Sequence, residues 1–313
     1  MCFTLSNSNL FLHSLLIGLS ERINMIVTKI SDGFGNQLFM YACGYALAKK
    51  YKTALILDIN TVASNSMRRY ELDSLNIEYE KLLRLSTFSN CTILKVAGKI
   101  QSFAFSHVMH FYKGKMNFGY DKEISSVKNN TYISGYWQSE KYFVEYREDL
   151  LKLLTPKKKR SKSVNQLYNE MQKCDSIALH VRRGDYVGIG CQLNMEYYDQ
   201  AISMMKSKYS GEKLILYVFS DDVDFCKHYF SEKQYFATKD IQLRYPQYES
   251  DNYTLDDLFL MSHCKHMIMA NSSYSWWAAW LNQYKEKTVI CPELGMWKGD
   301  FYPDDWIKIR CDE

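Results

Sequence analysis

The sequence predicts an α/β protein in two units, each an alternating series of strands and helices. Three observations predict it. Apolar runs of strand length alternate with helix-length periodic stretches in both halves of the chain. Polar and charged clusters begin where several of these runs stop, which is where open α/β sheets bind ligands. At 313 residues the chain is long for one core and suits two domains of about 150 residues each.

The composition narrows the class. A hydrophobic fraction of 47% and a charged fraction of 24% are ordinary for a globular protein. A net charge of +4, dispersed along the chain, does not fit a nucleic-acid partner. Aromatic residues reach 15%, which suits stacking on sugar faces and a large core alike. The nine cysteines are scattered without CxxC spacing, so neither a zinc site nor a redox motif is indicated. A reducing cytoplasm is the compartment expected for them.

Residues 1–24 read as a dispensable extension. Their apolar patch, Leu10–Leu19, is too short to span a bilayer. It has no basic n-region and no small-residue cleavage site. The competing reading is a weak membrane-associating segment, giving at most peripheral contact at the inner face of a membrane.

The first unit is expected over 25–156. Ile26–Ile30 reads as a strand, then Gly33-Phe34-Gly35-Asn36-Gln37 as a turn, then a helix runs through Lys50. Gly33 and Gly35 allow close approach or positive φ, and a βα turn of this kind presents backbone N–H groups to a polar ligand. Ala54–Ile59 is the second strand. Residues 60–130 are less regular, with Arg68, Arg69 and Tyr70 as a basic-aromatic cluster able to meet a substrate. Thr131–Gly135 is a strand leading to Trp137 and Gln138, a pair suited to a sugar site or to packing. The basic run beginning at Lys157 marks a linker over 157–165.

The second unit is expected over 166–313. Ile177–Val181 is its first strand and ends in His180, Arg182, Arg183 and Asp185. Lys213–Ser220 ends in Ser220, Asp221 and Asp222. His266–Ala270 opens into Asn271, Ser272, Ser273 and Ser275 at the mouth of a helix. In a doubly wound sheet these ends share one edge, and a nucleoside diphosphate fits it. Arginines take phosphates bidentately, and the serines and helix N–H groups take other oxygens. A carboxylate such as Asp257 can read ribose or base. No GxxxxGK[ST] loop is present, which argues against an ATPase or kinase. Asp222-Val223-Asp224 spells a D-x-D that could hold a divalent metal, but structural or ribose-contact roles carry more weight.

His-Val-Arg-Arg-Gly-Asp-Tyr at 180–186, Phe-Ser-Asp-Asp at 219–222 and Asn-Ser-Ser-Tyr-Ser-Trp-Trp-Ala-Ala-Trp-Leu at 271–281 resemble the ordered motifs of the α-1,2-fucosyltransferases, glycosyltransferase family eleven. The run from Met25 through Gly33-Phe34-Gly35-Asn36-Gln37 resembles that family's amino terminus. The likeness covers about 25–310 and points to the bacterial branch. It implies a GT-B architecture, two Rossmann-like domains facing across a cleft. It implies inverting transfer of L-fucose from GDP-β-L-fucose to the 2-hydroxyl of a terminal β-galactoside such as lactose or N-acetyllactosamine, with no metal or other cofactor. More distant fucosyltransferases share a His-x-Arg-Arg motif. Their likeness implies Asn36 near the reacting centre, Arg182 on the β-phosphate and Asp257 on the base.

The expected machinery is then Arg182, Arg183, Asn36 and Asp185 for catalysis. The donor falls to His180, Gly33, Gly35, Ser220, Asp221, Asp222, Asp257, Asn271, Ser272, Ser273 and Ser275. The acceptor falls to Arg68, Trp137 and Gln138. Asp185, Asp32 and Asp58 are open choices for a general base, and Asp185 could equally fix Arg183. Two rival readings are a metal-dependent sugar transferase using Asp222 and Asp224, and a nucleotide- or glycan-binding module without turnover.

Overall fold

The computed structural model describes residues 24–64, 68–82, 109–115, 119–211, 213–233, 236, 240–295, 297 and 299–311. Residues 1–23 of the expected extension lie outside them, as do 83–108 within the less regular region 60–130. No helix among the described residues is long and apolar enough to cross a membrane.

The architecture is of GT-B type, with two parallel sheets flanked by helices. The first sheet contains β1 (Met25–Lys29), β2 (Ala54–Asp58), β3 (Glu80–Leu82), β4 (His110–Lys113) and β5 (Thr131–Ser134), in the order β3-β2-β1-β5-β4. The second contains β6 (Asp175–Val181), β7 (Leu214–Ser220), β8 (Ile241–Arg244), β9 (His266–Ile268), β10 (Val289–Glu293) and β11 (Ile307–Arg310), in the order β11-β10-β9-β6-β7-β8. Every pairing in both sheets is parallel. Helices cover both faces, so central strands such as β6 and β7 are apolar almost throughout.

The two order reversals position the site. In the first sheet the chain leaves β1 toward β2 on one side and returns through β5 on the other. In the second it leaves β6 toward β7 and returns through β9. Between strands that diverge in this way a crevice opens at their carboxyl ends. The β1 and β5 ends carry the Gly33–Gln37 turn and Gln138. The β6, β7 and β9 ends carry the three polar clusters, and these strands are neighbours in the sheet.

The units are joined by an aromatic weld. Helix α1 (Phe34–Tyr51) is buried over most of its surface because it lies between the first sheet and helix α2 (Ser273–Leu281) of the second unit. Phe39 meets Trp276 and Trp277 at ring distances of 4.5 and 5.0 Å. Phe143 stacks on Trp277 at 5.3 Å. The Trp277 indole N–H donates to the Gly35 carbonyl at 3.0 Å. The tryptophans of the 271–281 motif are therefore core residues, while Ser272 and Ser273 ahead of them face the crevice.

Candidate active site

A cleft of about 630 Å³ opens between the two units. Its walls include Asp32, Gly33, Gly35, Asn36, Arg68 and Glu71 from the first unit. The second unit contributes His180, Arg182, Asp185, Ser220, Asp221, Asp257, Ser272 and Ser273.

Arg182 is held by two carboxylates. Its Nη1 lies 2.9 Å from Asp221 Oδ2 and its Nη2 lies 2.6 Å from Asp185 Oδ1. Asp221 is itself fixed, because its Oδ1 accepts from the backbone N–H groups of Arg183 at 2.8 Å and Gly184 at 3.1 Å. That close approach explains Gly184: a Cβ there would sit 2.5 Å from Asp221 Oδ2. The loop after β6 is thus tied to the end of β7, and Arg182 is presented to the cleft in one orientation. His180 is buried beside it, with its ring 5.7 Å from that of Tyr274. Burial, with help from the Arg182 charge, lowers its pKa to about 4, so the imidazole is neutral.

Opposite stands Asn36. Its Oδ1 accepts from Gln138 Nε2 at 2.8 Å, which leaves the Asn36 amide N–H₂ to donate into the cleft. Gln37 is fully buried one residue on. Its amide donates to the Asp32 and Arg69 carbonyls at 2.8 and 2.7 Å and accepts from the Glu71 N–H at 3.1 Å. This one side chain pins two cleft loops together. On the second unit, burial raises the Asp257 pKa to about 6, opposed by a hydrogen bond from Tyr248 and reinforced by the Asp256 charge. The exposed ring of Tyr253 stands one helical turn ahead of it in the same cleft.

Comparison with known proteins decides the family: the description "Glycosyl transferase family 11" matches residues 20–310. The chain belongs to glycosyl transferase family 11. An Escherichia coli α-1,2-colitosyltransferase is 30% identical, over 92% of this chain and 100% of that protein. The Escherichia coli O-antigen biosynthesis glycosyltransferase WbnK is 29% identical, over 90% of this chain and 99% of that protein. Among solved structures, a mutant of Arabidopsis thaliana FUT1 in complex with GDP has a TM-score of 0.51 at 12% identity, over 90% of this chain and 75% of that one, a likeness of fold.

Several residues of this family 11 transferase stand elsewhere than the sequence suggests. Arg183 turns away from the cleft, pairing with Asp222 at 3.1 Å and lying over the Phe225 ring at 3.3 Å. Two consecutive residues leaving a strand point opposite ways, and the pair Arg-Arg does not say which faces in. Asp222 caps the helix at Val223–Ser231, and Asp224 is exposed and paired with Lys227, so the D-x-D does not converge on the cleft. Asp185 is bound to Arg182 and Arg68, not to Arg183. Burial pushes its pKa up, but the Arg68 hydrogen bond and the Arg182 charge outweigh that and hold it low.

Ser275 is fully buried and accepts from the Ala270 N–H at 3.0 Å. Asn271 donates to the Cys191 carbonyl at 2.7 Å. Both shape the turn and neither lines the cleft. Trp137 is buried and stacked on Tyr112, and Gln138 stands behind Asn36, so neither is placed to touch an acceptor. Asp58 is buried and bound by Asn60 and Tyr132, out of the cleft. Gly35 serves the weld: a Cβ there would lie 2.4 Å from the Tyr274 backbone nitrogen. Gln37 was missed, although a glutamine inside so apolar a helix was the available signal.

Proposed function

We propose that this glycosyltransferase moves L-fucose from GDP-β-L-fucose to the 2-hydroxyl of a terminal β-galactoside, with inversion at the transferred carbon. The observation that carries the reading is Arg182, locked by Asp221 and facing Asn36 across one cleft. Family membership, the fucosyltransferase-like motifs and the GDP bound by FUT1 support it.

The C1–O bond of the donor breaks with its electron pair left on the β-phosphate. A bond forms between C1 and the acceptor oxygen, and the acceptor proton passes to water or to a cleft carboxylate, Asp32 or Glu71. A fixed guanidinium aimed at the leaving phosphate stabilises the charge as it develops; one such donor is typically worth about 3–4 kcal/mol. Neutral His180 can hydrogen-bond the nucleotide without adding charge. Asp257, as a carboxylate, can accept from the N–H groups of guanine. No metal is needed for this account, because Arg182 meets the leaving charge.

A second donor is favoured by the 30% identity to a colitosyltransferase: the 3-deoxy counterpart of the same sugar on the same nucleotide. Release of GDP from GDP-fucose and from GDP-colitose, with lactose or N-acetyllactosamine present, separates the two. The proposal expects faster release from GDP-fucose that depends on the acceptor. Acceptor-dependent release from GDP-colitose alone would replace the donor sugar, and release from neither would overturn the reading.

A further inference from the structure

The Asp185 carboxylate is shared between the two walls of the cleft. Arg182 Nη2 of the second unit lies 2.6 Å from its Oδ1, and Arg68 Nη2 of the first unit lies 2.9 Å from its Oδ2. Two guanidinium groups from opposite walls thus converge on one small anion. Arg182 does not need Asp185 for its orientation, since Asp221 holds its other nitrogen at 2.9 Å. The Arg68 and Asp185 side chains are 44% and 40% exposed, so the contact is open to an incoming ligand. Exposed ion pairs of this kind are weak. An anion with more charge and more oxygens can replace the carboxylate, and paired arginine forks match phosphate oxygens.

We propose that Arg68 is a second cation for the donor diphosphate, reaching it from the first unit, and that Asp185 holds its place until the nucleotide enters. The proposal rests on the donor reading above. It moves Arg68 from the acceptor contact expected from sequence to the leaving group. It also gives Asp185 a reason to be in the cleft without making it a base: two cations this close need an anion between them when no substrate is bound.

Calorimetric titration of the full chain with GDP and with GMP tests this on the parent, Arg68→Ala, Arg68→Lys, Asp185→Asn and Arg182→Ala. Arg68→Ala should weaken GDP about tenfold, the effect of one charged hydrogen bond. It should change GMP, which lacks the β-phosphate, much less. Arg68→Lys should fall between parent and alanine, and Asp185→Asn should bind GDP at least as tightly as the parent. Parental GDP affinity in Arg68→Ala, or equal losses for GDP and GMP, would overturn the Arg68 assignment. Weaker GDP binding in Asp185→Asn would overturn the place-holding role. If Arg182→Ala also binds GDP like the parent, the donor reading itself falls; if Arg182→Ala alone weakens GDP, only the inference about Arg68 does.

Discussion

Arg182 and Arg183 are chemically identical neighbours with different fates. One is aimed into the cleft by Asp221, and the other is packed on Phe225. Arg182→Ala should therefore keep the parental circular dichroism and lose at least about 100-fold in turnover, as expected when one preorganised donor is removed. A folded variant with parental turnover would contradict the assignment.

Asp257 makes a pH-dependent prediction. Burial raises its pKa from 3.8 to about 6. The folded state is then favoured most below the unfolded pKa, and that contribution is lost as the pH rises through about 6. Asp257→Asn should be more stable than the parent above pH 6, by up to about 3 kcal/mol, with most of the difference gone near pH 4. If the carboxylate reads the base, GDP affinity of the parent should also fall as the pH drops below 6, and the variant should bind weakly at every pH. Parallel melting profiles for the two proteins would rule out the buried carboxylate as the cause.

At this scale the sequence was informative where charge interrupts an apolar run, because such residues need partners and a crevice supplies them. It was silent on Trp137 and Gln138. A Trp-Gln pair after a strand reads the same whether it faces solvent or, as here, packs behind Asn36.

Among the elements, the central strands were legible and the edges were not. The sequence reading anticipates β1, β2, β5, β6, β7 and β9. It misses β3, β4, β8 and β11, which are the four edge strands of the two sheets. Edge strands are short and bury less, so their apolar signal is weak. β4 is exposed at three of four positions, and only one residue of β11 is buried. The Gly-x-Gly turn shows the same limit in another form. Gly35 looks like a ligand-approach glycine, yet its missing Cβ makes room for the N-terminus of α2. Gly35→Ala must move backbone against backbone. It should cost about 1–3 kcal/mol, the range for overpacking, read as a lower denaturant midpoint. A parental midpoint would show that α1 and α2 are not pressed together there.

Over the whole molecule, the two sheets share their main core, and a second cluster, from Ile177 through Tyr198 to Phe230, lies within the second unit alone. One hydrophobic cluster runs from Ile26 and Phe39 of the first unit through Phe143 to Trp276, Trp277 and Trp306 of the second. The two-unit organisation was readable from the repeating βα pattern. The weld was not, because nothing in the Trp-Trp-Ala-Ala-Trp run says which helix it will meet. Calorimetric unfolding should therefore give a single transition. Trp277→Ala should lower stability by about 3–5 kcal/mol, the usual cost of emptying a large aromatic site. Two separate transitions in the parent protein would deny the coupling. A welded joint also fixes the distance between Asn36 and Arg182, so that donor and acceptor meet in a cleft set by packing.

The central claim is that this cleft joins fucose to the 2-hydroxyl of a galactoside. Incubation with GDP-β-L-fucose and lactose or N-acetyllactosamine, followed by NMR of the product, tests it most directly. The account predicts a new α-anomeric fucose signal correlated through the glycosidic bond to C2 of galactose. A fucose attached at any other carbon, a β-anomeric product, or no disaccharide extension with either acceptor would contradict it.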